Sequence, residues 1–247
     1  GIVRTRNVWF QQALFKRARK YPERTKEIIL NVVKEYLSEE YVKKHFTPTY
    51  NPWDERICAL PNGDLFEAIK QGSVSVVTGH INAFSEKGIK MESGEEIDAD
   101  IIITATGLKL QLLGGASVRV DGKDIDLSET ISYKGMMYSG VPNLINSFGY
   151  INASWTLRSD LTCEFMCKLI NYMEEKKISY SIPDPDIDLS TEDPFVNGFT
   201  SGYLMRSMHL FPKQGEESPW RNNQKYFEDV FDIRFKSIDD GSLLLRS

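Results

Sequence analysis

The chain has 247 residues, 41% of them hydrophobic, and a formal net charge of −5. That fits one large globular domain or parts of two, and it gives no reason to expect a nucleic-acid partner. No apolar stretch reaches the ~20 residues that a membrane-spanning helix needs, and Cys58, Cys163 and Cys167 argue for buried thiols in a reducing, cytoplasmic setting rather than a disulfide framework or a metal site.

Residues 1 to about 45 read as helical and basic, with Arg4, Arg6, Lys16, Arg17, Arg19 and Lys20 interleaved with Trp9, Phe10, Leu14 and Phe15. Pro22 divides this stretch, and Ile28, Ile29, Val32, Val33, Tyr36 and Leu37 continue at helical spacing. A solvated charged face is one reading of the pair; weak peripheral contact with an anionic membrane surface is the other. A loop rich in turn formers follows over residues 46–63, after which Asp64 is placed to cap a short helix. Residues 74–77 read as a strand, and 81–84 with 88–91 as a hairpin. Val118 to Ile125 form a second hairpin about Asp121-Gly122. Residues 144–148 read as a short buried strand stopping at Gly149. A helix then carries Trp155, Leu161, Phe165, Leu169 and Met173 as its apolar stripe, with Asn152 or Ser154 as its cap. Residues 181–220 are expected to wrap the surface with short helices, ahead of a last helix near residues 223–235.

The strongest local signal is the run Asp100-Ile-Ile-Ile-Thr-Ala-Thr-Gly107. Consecutive apolar and β-branched residues suit a strand buried on both faces, as in a parallel sheet. The small ending at Thr106 and Gly107 leaves bare backbone at the carboxyl edge of such a sheet, where α/β folds bind ligands. A plain buried strand meeting a tight turn is the alternative. The unit Gly149-Tyr150-Ile-Asn152-Ala153-Ser154 leads from strand to helix, and a helix N-terminus offers free amides and a positive dipole end to an anion. In the loop Asn51-Pro-Trp53-Asp-Glu-Arg56, Arg56 is a permanent cation that could meet a cofactor's anion or a phosphate, or could pair with Asp54 and Glu55. Trp53 beside it, with Lys213, Gln214 and Trp220 further on, are candidates to line or close a substrate site. No Gly-x-Gly-x-x-Gly phosphate loop occurs anywhere in the chain, although ligand-binding α/β folds of this kind need one.

Taken together, Lys44-His-Phe-Thr-Pro, Tyr50-Asn-Pro-Trp-Asp, Pro61-Asn-Gly-Asp-Leu-Phe, Ala99-Asp-Ile-Ile-Ile-Thr-Ala-Thr-Gly, Tyr133-Lys-Gly-Met-Met, Asn152-Ala-Ser-Trp-Thr and Pro212-Lys-Gln-Gly resemble the Baeyer–Villiger and flavin-containing monooxygenase family. The similarity runs over nearly the whole chain and is weakest in residues 1–40 and 177–198. It implies an α/β flavoprotein with two Rossmann-like dinucleotide-binding domains for FAD and NADPH, of which this chain is the C-terminal part. Residues 1–105 would be the later part of the NADPH domain, with a helical insertion over 1–45. Residues 106–247 would complete the FAD domain and end in a wrapping segment.

The resemblance also implies the chemistry. Such enzymes reduce FAD with NADPH, form a C4a-peroxyflavin with O2, and insert oxygen into a ketone or oxidise sulfur or nitrogen. By position, Arg56 matches the arginine that steadies the peroxyflavin and meets NADPH. Thr106 and Gly107 match the crossover back to the FAD domain, and Gly149, Tyr150, Asn152, Ala153 and Ser154 match the turn near the flavin ring. The glycine loops and the Phe-x-Gly-x-x-x-His-x-x-x-Trp-Pro fingerprint of that family are absent from these residues. The chain alone is therefore expected to be inactive and unable to hold FAD. The competing expectation is a non-catalytic remnant or a partner-binding piece.

Overall fold

Helix α1 (Ile2–Lys20) buries Val8, Gln12 and Ala18 along one side and leaves Trp9 and Phe10 in solvent. It belongs to a computed structural model that describes residues 1–55, 57–58, 60–187, 193–196 and 201–247. The chain divides into two compact units. One comprises Gly1–Gln12 with Leu108–Ser247, the other Ala13–Gly107. Both mix helix and strand.

The unit Ala13–Gly107 starts with helices. Pro22 opens α2 (Pro22–Lys34), where its missing N–H costs nothing and its fixed φ suits the first turn. Ser38 caps α3 (Glu39–His45), its Oγ accepting from Tyr41 N at 3.3 Å. Glu39 and Glu40 in the first turn and Lys43, Lys44 and His45 in the last complement the helix dipole. The short α4 (Asp64–Lys70) starts after Gly63, the N-cap at φ 66°, so Asp64 is its first residue rather than its cap. Val33, Leu37, Val42 and Phe66 close a small core among these helices. The expected hairpin is present as β1 (Ile81–Phe84) and β2 (Gly88–Met91), and β3 (Glu96–Asp98) adds a third antiparallel strand in the order β1-β2-β3.

Two expected strands do not form. Residues 74–77 and residues 100–107 have no ladder and no regular structure. The isoleucines expected to be buried lie in water: Ile101 is 81% exposed and Ile103 87%. Strand composition specifies what a segment can pair with, but the ladder and the covering layers must come from neighbours. No neighbour among the described residues supplies them.

The other unit carries the larger core. Strands β4 (Val118–Val120) and β5 (Lys123–Ile125) form the second expected hairpin, turning through Asp121 and Gly122 at φ 50° and 80°. Positive φ at both central residues is the twist-matched hairpin turn. β6 (Ser132–Tyr133) and β7 (Met137–Tyr138) turn tightly through Lys134 and Gly135, and both strands are fully buried. Residues 144–148 are half-buried chain with no ladder, in place of the expected strand. Helix α5 (Trp155–Lys176) buries Leu157, Leu161, Phe165 and Leu169 and ends at Lys177 in the left-handed conformation. Its Cys163 and Cys167 are exposed, as is Cys58, which corrects the expectation of buried thiols. β8 (Tyr180–Pro183) and β9 (Asp193–Pro194) lead to the one-turn α6 (Gly202–Met205) and then to β10 (Lys213–Gln214), which pairs with β9. The last helix, α7 (Tyr226–Phe235), packs on α5, and β11 (Leu243–Arg246) pairs with β8. Tyr133, Met136, Met137, Leu161, Phe165 and Trp220 form the centre of this core. Every strand ladder among the described residues is antiparallel. Among them, no helix is long and apolar enough to cross a membrane.

Candidate functional site

The turn over residues 149–154 is braced by a chain of amides. Ile151 N donates to Gln224 Oε1 at 2.9 Å, and Asn152 Nδ2 to the Gln224 carbonyl at 2.9 Å. Gln224 Nε2 donates to Asn222 Oδ1 at 3.0 Å, and Asn222 N to Gln214 Oε1 at 2.9 Å. Gln214 Nε2 closes the chain on the Pro194 carbonyl at 2.6 Å. Gln214, Asn222 and Gln224 are all buried, and buried amides are retained where each finds its partners. The structure thus joins the 149–154 turn to Gln214, two sequence candidates 60 or more residues apart, through Asn222 and Gln224, which sequence reasoning missed. Their only signal was the polar run after Trp220, directly before a helix.

Tyr150 points into a second network. Its hydroxyl donates to Asp229 Oδ2, and the Arg158 guanidinium pairs with that same carboxylate. The guanidinium also lies over the Tyr150 ring, 5.7 Å from its centroid, and donates to the Lys134 carbonyl. Lys134 in turn pairs with Asp240 at 3.2 Å, and Asp240 accepts from the Tyr133 hydroxyl at 2.8 Å. Burial first, and then the nearby carboxylate charge, push Tyr150 and Tyr133 far above the ordinary phenol value. Both phenols stay protonated near neutrality, and the Tyr150 side chain anchors the turn.

Around that backbone the features are mixed. Ser154 is the N-cap of α5 by position, yet its Oγ bonds Thr156 Oγ1 at 2.8 Å and makes no cap bond to the helix. Asn152 Oδ1 is buried with no hydrogen-bond partner. The start of α5 thus lacks a side-chain cap, and the turn before it carries one buried acceptor without a partner. Gly149 is different: a Cβ there would lie 2.1 Å from the Trp155 ring, so the glycine admits this indole. Ala153 contributes to a small cluster with Val8, Tyr150 and Leu157.

The remaining candidates fall elsewhere. Trp220, 9% exposed, stands edge-on to Tyr133 at 5.4 Å in the main core. Lys213 is half-buried, 3.5 Å from Glu129. In the Ala13–Gly107 unit, Trp53 takes φ 69° and meets the Phe15 ring edge-on at 6.0 Å. Asp54 pairs with Arg19, while Arg56 lies outside the described residues. Thr106 and Gly107 are exposed, Gly107 at φ 99°. The same unit holds a cavity of about 160 Å³ walled by Ile29, Leu30, Phe46, Pro48, Tyr50 and Ile57. Among the described residues its lining carries one charge, the Lys26 ammonium, which donates to the Pro48 carbonyl at 2.5 Å. Such a space suits a small apolar group.

Comparison with known proteins gives a consistent result. The chain is 49% identical over 245 residues to the FAD-containing monooxygenase EthA of Mycobacterium tuberculosis (strain ATCC 25618 / H37Rv), covering 98% of this chain and 49% of that protein. It is 47% identical over 243 residues to EthA of Mycolicibacterium smegmatis, again covering 98% of this chain and 49% of that protein. With the "Probable FAD-binding monooxygenase AlmA" of Acinetobacter baylyi it shares 40% over 242 residues, at the same coverage of both chains. The chain spans about half the length of the curated relatives it matches. No family model matches the sequence.

Proposed function

We propose that the chain is the C-terminal portion of an FAD-dependent monooxygenase whose complete form uses NADPH and O2. The observation that carries this reading is the identity of 49% sustained over 98% of the chain with an FAD-containing monooxygenase. The 149–154 turn adds a chemical fit. Flavin presents a pyrimidine edge of two carbonyls about an N–H, and the uncapped start of α5 with the orphan Asn152 Oδ1 offers the matching donors and acceptor. In this reading Asn152, Ala153 and Ser154 hold that edge with the backbone of Gly149 and Tyr150. The dipole of α5 favours negative charge there. Thr106 and Gly107 bring the chain back toward the flavin. Arg56 would supply a permanent cation to NADPH and to negative charge on the bound flavin, and Trp53, Lys213, Gln214 and Trp220 would bound or support the substrate space.

Bound FAD would supply oxygen activation, delivering one oxygen atom to a ketone, in the Baeyer–Villiger manner, or to a soft sulfur or nitrogen centre. This chain contributes position and charge, and it carries no phosphate-binding Gly-x-Gly-x-x-Gly loop of its own. Two preparations test the reading. The chain alone, purified with added FAD and desalted, is expected to be colourless; stoichiometric flavin on it would show that it binds FAD unaided. The chain joined covalently to the segment of M. tuberculosis EthA outside the match is expected to retain flavin and to oxidise NADPH with a ketone or thioether. A folded but colourless chimera sinks the reading.

A further inference from the structure

We infer that the cavity in the Ala13–Gly107 unit is a binding site for a small carboxylate with a ring or a branched aliphatic body, its anionic end held by Lys26. The inference concerns this unit alone and does not depend on the cofactor reading above.

The walls set the body of the ligand. The cavity measures about 160 Å³, with α2 on one side and residues 46–52 and Ile57 on the other. Spaces of about 150 Å³ lined by Leu, Ile and Phe hold water poorly and accept a benzene-sized guest. Tyr50 and Ile57 keep 45% and 40% of their surface exposed. The space therefore has a mouth, and a ligand enters without unfolding the helices beside it.

The charges set the other end. Among the described lining residues only Lys26 and Tyr50 end in polar groups, an ammonium and a phenol, and none is a carboxylate. An ammonium has three protons to donate. Lys26 is half-buried and gives one of them to the Pro48 carbonyl, a neutral acceptor. Among the described residues no Asp or Glu forms an ion pair with it. A cation at an apolar lip, with donors to spare and no counter-charge, selects an anion: the bond becomes charge-assisted, and partial burial strengthens it. The same lip repels amines and gives a neutral guest only an ordinary hydrogen bond. Because Lys26 and Ile29 stand on α2 while Pro48 and Tyr50 belong to the chain that follows α3, an occupied site fastens that chain to the helix and stabilises the unit by mass action.

The test titrates the 247-residue chain with 4-fluorobenzoate, followed by fluorine NMR. Binding is expected with a Kd on the order of 1 mM, as suits a ligand of this size. 4-Fluorobenzamide has the same shape without the charge and should bind about tenfold more weakly. Methyl resonances of Ile29 and Ile57 should shift on binding. Lys26→Met keeps the apolar stem and should lose about tenfold in affinity, whereas Lys26→Arg should retain it. Lys70→Met, at the exposed end of α4 and outside the cavity, should change nothing. Ile29 is 36% exposed, so Ile29→Trp should fill the space from its open edge and abolish binding with helix content and melting unchanged. No binding of 4-fluorobenzoate, equal affinity for the amide, unmoved Ile29 and Ile57 methyls, or wild-type affinity in a folded Lys26→Met or Ile29→Trp variant would each overturn the proposal. Should either variant melt early, the other variant, the amide and the methyl shifts still decide.

Discussion

Arg158 is nearly buried, with 4% of its side chain exposed, and its partner Asp229 keeps 15%. Removing one member of such a pair leaves a desolvated charge unanswered, which costs far more than the pair itself contributes. Arg158→Met is expected to destabilise the chain by about 3–5 kcal/mol in urea unfolding, and Arg158→Met/Asp229→Leu by clearly less. A double variant as unstable as the single one would show that the ion pair is not the source. The buried tyrosines set an alkaline limit. Burial pushes Tyr138 up to about 12, and Tyr133 and Tyr150 higher still. Because the folded pKa values lie above the unfolded value of about 10, this stabilisation is complete below about pH 10 and is lost as pH rises through it. Each tyrosine contributes a slope of about 1.4 kcal/mol per pH unit, and that of Tyr138 levels off near 12. Unfolding midpoints that stay flat into this range would contradict it. None of this was legible in the sequence. Tyr150 was read as a residue beside a ligand, and nothing local distinguishes a phenol aimed outward from one aimed at a carboxylate 79 residues away.

At the scale of elements, the junction into α5 shows both what pattern reveals and what it hides. The helix and its stripe at Leu161, Phe165 and Leu169 were readable because helical periodicity is local and redundant. The expected strand before it was not formed, since an apolar pentapeptide carries too little periodicity to specify a ladder. By the resemblance Gly149 belongs to the turn near the flavin ring; in the structure it admits Trp155, whose ring also lies 5.2 Å from Phe148. Gly149→Ala should therefore drive the indole out of its seat, at a cost of about 1–3 kcal/mol. The measurement is tryptophan emission, with Trp155→Phe identifying the responsible ring; an unshifted spectrum would mean that the turn yields instead. The two hairpins were legible for the opposite reason. Asp121-Gly122 encodes its own turn, and the pairing partners lie a few residues apart.

Across the whole molecule, the chain shows water an unusual amount of apolar side chain. Ile2, Trp9 and Phe10 on α1, Ile101 and Ile103, and Phe227, Phe231 and Phe235 along α7 are each about half exposed or more. The natively folded chain is expected to enhance ANS fluorescence at neutral pH. A native chain that leaves the dye dark would show these surfaces already covered in solution. The sequence by itself determined the helices, the two hairpins and, through spaced motifs, the resemblance to flavin monooxygenases, because periodicity, turn chemistry and motifs are written in residues near one another. Only the tertiary structure decided that Gln214 and Gln224 brace the 149–154 turn, that Tyr150 is tied to Asp229 and Arg158, and that the isoleucines of residues 101–103 stand in solvent. Those outcomes depend on which distant segments are present to pair, cover or charge a residue, and a strand-forming run cannot carry its own neighbours.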